Sequence, residues 1–281
     1  MKKILVATDL SSRADRAILR AIKLATAHKA HLTIVCVVDE DTPTSLLQET
    51  KKIAEQEINF CIKNKIKNIK YDIRIVVGMP HHSILEIAVE ENVDLIVLGL
   101  HRHIEENQPI IGKVIERVIL NSMKPVLIVK NRAELDYKNT LVGVDFNIHS
   151  KKSLKLALSM FKDSNFHLIH SYYMPILGAF GNSAALEQEF KVSCSADIDS
   201  MVKEITKSLA GKSSSSKKSF NISTKITKGS ISDILKEEAL YLKSELLVLG
   251  THGRTGLAKL LSLNVTESFL VNPPCDLLVV M

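Results

Sequence analysis

Short apolar runs alternate with amphipathic segments along the chain. In the first half, five runs are apolar enough to form buried strands: residues 3–8, 31–38, 73–77, 95–98 and 126–129. Between them apolar positions recur at helical spacing, and Ser12, followed by Asp15, is expected to cap the first helix. Strands that are apolar on both faces favour a parallel sheet with helices on both sides. The pattern therefore predicts a β-α-β-α fold.

The second half of the chain repeats this pattern. Three segments recur: Ile4–Asp9 as Leu141–Asp145, Asp94–Gly99 as Glu245–Gly250, and Pro125–Val129 as Cys275–Val280. The offset grows from 136 residues for the first pair to 151 for the second, so the second copy holds about fifteen additional residues. Segments 178–181 and 213–216 fall in that interval and are expected to be enlarged loops. We expect two tandem Rossmann-like α/β domains, residues 1–132 and 138–281, each a five-stranded parallel sheet with helices on both faces.

Composition and charge argue against several classes of protein. The chain has 281 residues, of which 46% are hydrophobic and 24% charged, as in soluble globular domains. Its net charge of +6 is spread along the sequence, and only Lys217-Lys218 stands out as a basic pair. Binding of nucleic acid would instead favour a clustered basic stripe. No run approaches the ~20 apolar residues of a membrane span.

The cysteine and histidine spacings predict no metal site. The four cysteines form no zinc-binding pair and are expected to be reduced thiols of a cytoplasmic protein: Cys36, Cys61, Cys194 and Cys275. The pairs His81-His82 and His101-x-His103 lack a carboxylate or cysteine at usable spacing. Neither copy offers a Ser-His-Asp or Cys-His arrangement, so no residue is assigned a catalytic role.

A ligand site is expected where the strand order of each domain reverses. In doubly wound sheets ligands bind there, beyond the carboxyl ends of the strands. Asp9 or Asp145 follows the first strand of each copy, and Gly99 or Gly250 follows the fourth. A carboxylate can accept from a ribose hydroxyl or a base N–H, while glycine lets backbone N–H groups approach a phosphate. The alternative is that both aspartates only shape turns or cap helices.

Three segments resemble the signatures of the universal stress protein family. They are Gly250–Leu257, Lys2–Asp9 and Val77–Pro80, and the resemblance spans nearly the whole chain in tandem. It implies a non-catalytic, cytoplasmic stress-response protein whose domains have the adenine nucleotide alpha hydrolase-like fold. In one branch of the family it also implies ATP or ADP in the crevice, with Mg²⁺ only when the nucleotide is bound.

The nucleotide-binding branch carries Gly-x-x-Gly, nine residues, and then Gly-Ser or Gly-Thr. In the second copy Gly250 and Gly253 match, whereas Leu263-Asn264 stands at the Gly-Ser position and Val265-Thr266 follows. The binding residues that the resemblance implies in this copy, which is favoured, are Asp145, Ser171, Gly250, His252, Gly253, Asn264, Val265 and Thr266.

The first copy departs further from the motif. Gly99 matches, but Arg102 replaces the second glycine and Gly112-Lys113 stands at the Gly-Ser position. A Cβ at the second glycine hinders the approach of backbone to phosphate, although Lys113 can offset part of the loss as a point charge. The corresponding residues of this disfavoured site are Asp9, Val37, Gly99, Arg102, Gly112 and Lys113.

Two other functions and one question of assembly stay open. A slow ATPase or ATP pyrophosphatase of the same fold group is one alternative, but the pyrophosphatase loop Ser-Gly-Gly-x-Asp-Ser is replaced by Thr8–Ser12. A nucleotide-free scaffold for partner proteins is the other.

The last strands, residues 125–129 and 276–280, would be apolar edges that could pair with another strand. We expect them to pair inside the chain as a pseudo-dimer, with a homodimer as the alternative.

Overall fold

The computed structural model describes most of the chain and divides it into two compact units. The residues described are 1–100, 102–105, 108–111, 113–172, 183–210, 219–250, 269–270 and 272–281. The first unit comprises Met1–Asp136, Glu267–Val279 and Met281, and the second comprises Tyr137–Thr266 and Val280.

Strands and helices alternate through both units. The elements of the first half are β1 (Lys3–Thr8), α1 (Ser12–His28), β2 (His31–Val38), α2 (Thr44–Ile62), β3 (Tyr71–Val77), α3 (Pro80–Glu90), β4 (Leu95–Gly99), β5 (Arg102–Glu105), β6 (Gln108–Ile111), α4 (Lys113–Asn121) and β7 (Val126–Val129). Those of the second half are β8 (Asn139–Gly143), α5 (Ile148–Met160), β9 (Asn165–Tyr172), α6 (Ser183–Ala210), β10 (Asn221–Lys228), α7 (Ile231–Tyr241), β11 (Leu246–Gly250) and β12 (Asp276–Val280). The predicted α/β class is confirmed.

The sheet of the first unit is parallel except at one strand. Its order is β3-β2-β1-β4-β7-β12, and β12 runs antiparallel to β7, with Leu278 opposite Leu127. The central strand β1 is fully buried at Ile4, Leu5 and Val6, as its uninterrupted apolar run predicts. The two predicted edge segments, 125–129 and 276–280, therefore lie side by side in this unit. The pseudo-dimer of whole domains stays a prediction.

The sheet of the second unit has the same central arrangement. Strand β8 lies between β9 and β11, β9 also pairs with β10, and all three pairings are parallel. Phe166 and Leu168 of β9 have no exposed surface, so the interior of this unit is also apolar. In both units the first strand of the repeat lies beside the fourth, which places the strand-order reversal at the point that the sequence predicts.

One hairpin, formed by β5 and β6, falls outside the predicted pattern. Strands β5 and β6 form a separate antiparallel pair, with Arg102 opposite Ile111. This hairpin occupies much of the segment in which the sequence predicts a phosphate loop of the first copy.

A buried ion pair fastens β12 within the first unit. Arg20 of α1 is 1% exposed and Asp276 has no exposed surface, and Arg20 Nε lies 3.4 Å from Asp276 Oδ2. Asp276 Oδ1 also accepts hydrogen bonds from the backbone N–H groups of Lys130 (2.9 Å) and Asn131 (2.7 Å). Arg20 in turn donates to the carbonyl oxygen of Leu135 at 2.7 Å. Both charges are thus desolvated and hydrogen-bonded, as buried ions require.

Candidate functional site

The crevice of the first unit lies at the carboxyl ends of three neighbouring strands. Ala7 of β1 pairs with Leu98 of β4, and Thr8 pairs with Cys36 of β2. The next residues along these strands are Asp9, Val37 and Gly99, so the register brings them to one edge of the sheet. The structure thereby groups three residues that the sequence assigns to the disfavoured site.

The second unit brings together the corresponding residues of the favoured site. Gly143 of β8 pairs with Ile169 of β9, and Val142 pairs with Val248 of β11. Asp145, Ser171 and Gly250 come two residues after Gly143, Ile169 and Val248, so the register brings them to the same edge of this sheet. We therefore take this edge as the candidate site.

In the first crevice the aspartate builds a tight turn into the helix. Asp9 Oδ1 accepts a hydrogen bond from the backbone N–H of Ser11 at 3.0 Å, and Leu10 between them has a left-handed φ of 63°. Ser11 Oγ then accepts from the N–H of Ala14 at 3.2 Å, which makes Ser11 the N-cap of α1. The expectation that Ser12 caps this helix is wrong by one residue, because Ser12 is already the first helical residue.

The second crevice repeats this turn with one additional contact. Phe146 has a φ of 64°, and the backbone N–H of Asn147 donates to Asp145 Oδ1 at 3.3 Å. Asn147 Oδ1 accepts from the N–H of Ser150 at 2.8 Å and so caps α5. In addition, Asn147 Nδ2 donates to Asp145 Oδ2 at 2.6 Å. Both aspartates therefore shape turns, and both carboxylates remain exposed at the sheet edge.

The two glycines at the crevices are required by helix packing. A Cβ added to Gly99 would lie 3.0 Å from the Cα of Ala14, in the first turns of α1. A Cβ added to Gly250 would lie 2.7 Å from the carbonyl carbon of His149 in α5. Since backbone atoms cannot move aside as a flexible side chain can, only glycine fits at the end of β11, and a larger residue at the end of β4 would be tightly packed. Sequence reasoning assigned these glycines to phosphate approach and missed this role.

A buried histidine at the second crevice was also missed. His170 is 9% exposed, and its Nδ1 lies 2.7 Å from the carbonyl oxygen of Val144. Because a carbonyl only accepts, Nδ1 carries the proton. The ring centroid lies 4.5 Å from that of Phe146, so the histidine packs against the residue with left-handed φ. The signal in the sequence is a histidine beside Ser171, directly before the strand end.

The first unit has a cysteine where the second has this histidine. Cys36 directly precedes Val37, as His170 precedes Ser171. Burial raises the pKa of the Cys36 thiol, and the charge of Asp9 raises it further. The thiol is therefore protonated at neutral pH and behaves as a small apolar group. The two crevices thus differ in chemistry although their backbones follow the same turn.

The remaining predicted site residues are only partly placed. Arg102 is the first residue of β5, and Lys113 is the first residue of α4. Six others lie outside the described residues: Gly112, His252, Gly253, Asn264, Val265 and Thr266. Within the described part of the chain, no three His, Cys, Asp or Glu side chains are grouped so that they could hold a metal ion. The helices described there are all too short or too polar to cross a membrane.

Comparison with known proteins identifies the family of this tandem fold. The model of the universal stress protein family matches residues 1–130 and again residues 136–281. The chain belongs to the universal stress protein family. Its tandem organisation, inferred above from the repeated strands, is therefore confirmed.

Relatives of this universal stress protein occur as single domains and as tandem chains. A universal stress protein of Methanocaldococcus jannaschii is 32% identical over 155 residues, which is 47% of this chain and 96% of the relative. A solved universal stress protein of Archaeoglobus fulgidus covers 99% of this chain and 97% of its own, with a TM-score of 0.69 and 18% identity. Another solved relative, 28% identical over 46% of this chain and 96% of its own with a TM-score of 0.34, is in complex with cAMP.

Proposed function

We propose that this universal stress protein is a non-catalytic stress-response protein that binds ATP or ADP in the crevice of its second unit. The observation that carries the proposal is the alignment of Asp145, Ser171 and Gly250 at one edge of a parallel sheet. Nucleotides bind doubly wound sheets at this kind of edge, beyond the strand ends and beside the strand-order reversal.

The chemistry of the three residues suits a nucleoside. The carboxylate of Asp145 is exposed and can accept from a ribose hydroxyl or a base N–H. Ser171 is partly buried at the end of β9 and offers a hydroxyl. Gly250 ends β11 and is followed in sequence by the segment that carries Gly253, the second glycine of the family motif. The carboxylate, the hydroxyl and this segment are proposed to contact one ligand.

The second crevice is favoured over the first because of its loop. Gly253 retains the small residue that lets backbone N–H groups approach a phosphate, whereas Arg102 stands at the corresponding place in the first copy. Mg²⁺ would accompany the bound nucleotide through its phosphates.

Calorimetric titration with ATP and with ADP tests the proposal. Wild-type protein is expected to bind one nucleotide per chain. Asp145→Ala removes a charge-assisted hydrogen bond worth about 1.5–3 kcal/mol, so its Kd rises about tenfold or more. Asp9→Ala is the matched control, because it removes the same turn contact in the first crevice and leaves the Kd unchanged. Absence of binding at millimolar nucleotide would overturn the proposal.

A separate measurement tests the non-catalytic part. With saturating ATP, phosphate release by the wild-type protein is expected to equal that of buffer. Release above this background that disappears in Asp145→Ala, a variant that keeps the glycine at the end of β11, would replace the proposal with a slow ATPase.

A further inference from the structure

Asn147 uses its side-chain amide for a contact in the second crevice, whereas the corresponding residue of the first crevice, Ser11, has no amide. In both crevices the residue two places after the aspartate caps a helix and donates its backbone N–H to that aspartate. Ser11 does this in the first unit, and its hydroxyl accepts from Ala14 N–H. Asn147 does it in the second unit and also donates its side-chain amide to Asp145 Oδ2.

The two side-chain bonds of Asn147 fix the orientation of its amide. The backbone N–H of Ser150 can only donate, so the atom that it contacts at 2.8 Å must be Oδ1. The carboxylate of Asp145 can only accept, so the atom at 2.6 Å must be Nδ2. The flipped amide would place oxygen against oxygen and N–H against N–H. The helix cap therefore determines where the amide donor points.

The amide and the backbone N–H of Asn147 hold one oxygen each of the Asp145 carboxylate. Oδ1 accepts from the backbone and Oδ2 from the side chain, at 3.3 Å and 2.6 Å. A carboxylate offers about four lone-pair positions, and the two bonds from Asn147 use one position on each oxygen. Rotation about the last bond of the side chain would break both contacts. The exposed carboxylate is thus held in one orientation before any ligand arrives.

We infer that Asn147 is a positioning residue that orients the Asp145 carboxylate for the hydrogen-bond donors of a nucleoside. This inference rests on the proposed nucleotide site and assigns to Asn147 a part in the affinity of that site for nucleotide. In the first crevice Ser11 reaches Asp9 through its backbone N–H and carries no side-chain amide. The side-chain clamp is therefore a difference between the two crevices that adds to the difference in their loops.

Asn147→Ser tests the inference because it introduces the residue of the first unit. Serine caps helices about as well as asparagine, so the melting temperature of the variant is expected to stay close to that of the wild type. Loss of the amide bond is expected to raise the Kd for ADP about two- to tenfold, the range for one net hydrogen bond. Ser11→Asn is the matched control and is expected to leave the Kd unchanged.

Asn147→Asp separates orientation from capping. Aspartate also caps helices well, but it replaces the amide donor with an acceptor that repels Asp145. We expect its Kd for ADP to rise further than that of Asn147→Ser, in the order asparagine, serine, aspartate. A role in capping alone predicts equal Kd values for all three.

The outcomes distinguish the inference from the function on which it rests. Wild-type binding with an unchanged Kd in Asn147→Ser overturns the positioning role and leaves nucleotide binding in place. Absence of ADP binding by the wild type and by every variant at millimolar concentration overturns both. A raised Kd accompanied by a matching loss of melting temperature also overturns the positioning role, since it would reflect a weakened helix.

Discussion

Replacement of Asp276 by asparagine should destabilise the first unit more than any surface charge change. The side chain of Asp276 has no exposed surface, and its Oδ2 lies 3.4 Å from Nε of the buried Arg20. In Asp276→Asn, Oδ1 can still accept from the N–H groups of Lys130 and Asn131. The amide N–H₂, however, then faces the guanidinium in place of a carboxylate oxygen. The buried charge of Arg20 thereby loses this carboxylate oxygen.

The size of the effect follows from the burial of both partners. Breaking a buried ion pair by removing one charge costs about 3–5 kcal/mol, because the other ion remains desolvated. Arg20 keeps its bonds to the carbonyls of Leu135 and Arg132, which satisfy two N–H groups but neutralise no charge. We therefore expect Asp276→Asn to lower the free energy of unfolding of the first unit by about 3 kcal/mol or more.

Urea unfolding with a double-mutant cycle measures this energy. Arg20→Met and Asp276→Asn are each expected to be strongly destabilising, and the double variant is expected to lose less than their sum, because neither charge is then stranded. Glu90→Gln is the matched control in the same unit. Glu90 lies 3.1 Å from Arg74 Nη1 and its side chain is 64% exposed, so loss of this pair should cost under about 1 kcal/mol. A cost of Asp276→Asn no greater than that of the control would refute the reasoning.

Three further predictions follow from the contacts of single residues. Gly250→Ala should lower the melting temperature, since its Cβ would lie 2.7 Å from the carbonyl carbon of His149. Gly143→Ala meets only the flexible side chains of two leucines and should cost less, so equal melting temperatures of the two variants would contradict this. Burial lowers the pKa of His167, against a smaller opposing effect of Glu238, so the folded state takes up this proton less readily than the unfolded chain. The urea midpoint should therefore fall as the pH drops below about 6.5, and the midpoint should depend less steeply on pH in His167→Gln. The same pH dependence in both proteins would show that His167 does not cause it. Val279 of β12 is 3% exposed, so Val279→Lys buries a charge and should lower the melting temperature of the first unit. An unchanged melting temperature would contradict this prediction.

The parallel core could be predicted because its signal is strong and local. Residues 3–8 and 95–98 are apolar at nearly every position, and such runs suit strands that are covered on both faces. Their repetition in the second half predicted the tandem organisation. The strand order also agrees between the copies, since the first and fourth strands of the repeat lie beside each other in both units.

Other features could not be read from the sequence because they depend on contacts between distant segments. The close approach of α5 to Gly250 is visible only when strand and helix are both placed. The burial of Arg20 could not be read from the helical pattern, because its partner Asp276 lies far away in sequence. The N-cap was ambiguous for a different reason. Ser11 and Ser12 are equally able to cap α1, and the turn at Asp9 selects the first of them.

Photoaffinity labelling with an azido-adenine nucleotide tests the central claim most directly. The label reports where an adenine base lies, once the modified peptides are mapped by mass spectrometry. The account predicts that label is found in residues 137–266, the second unit, and that excess ATP or ADP removes it. Label confined to residues 1–136, or label that unmodified nucleotide does not compete away, would contradict it.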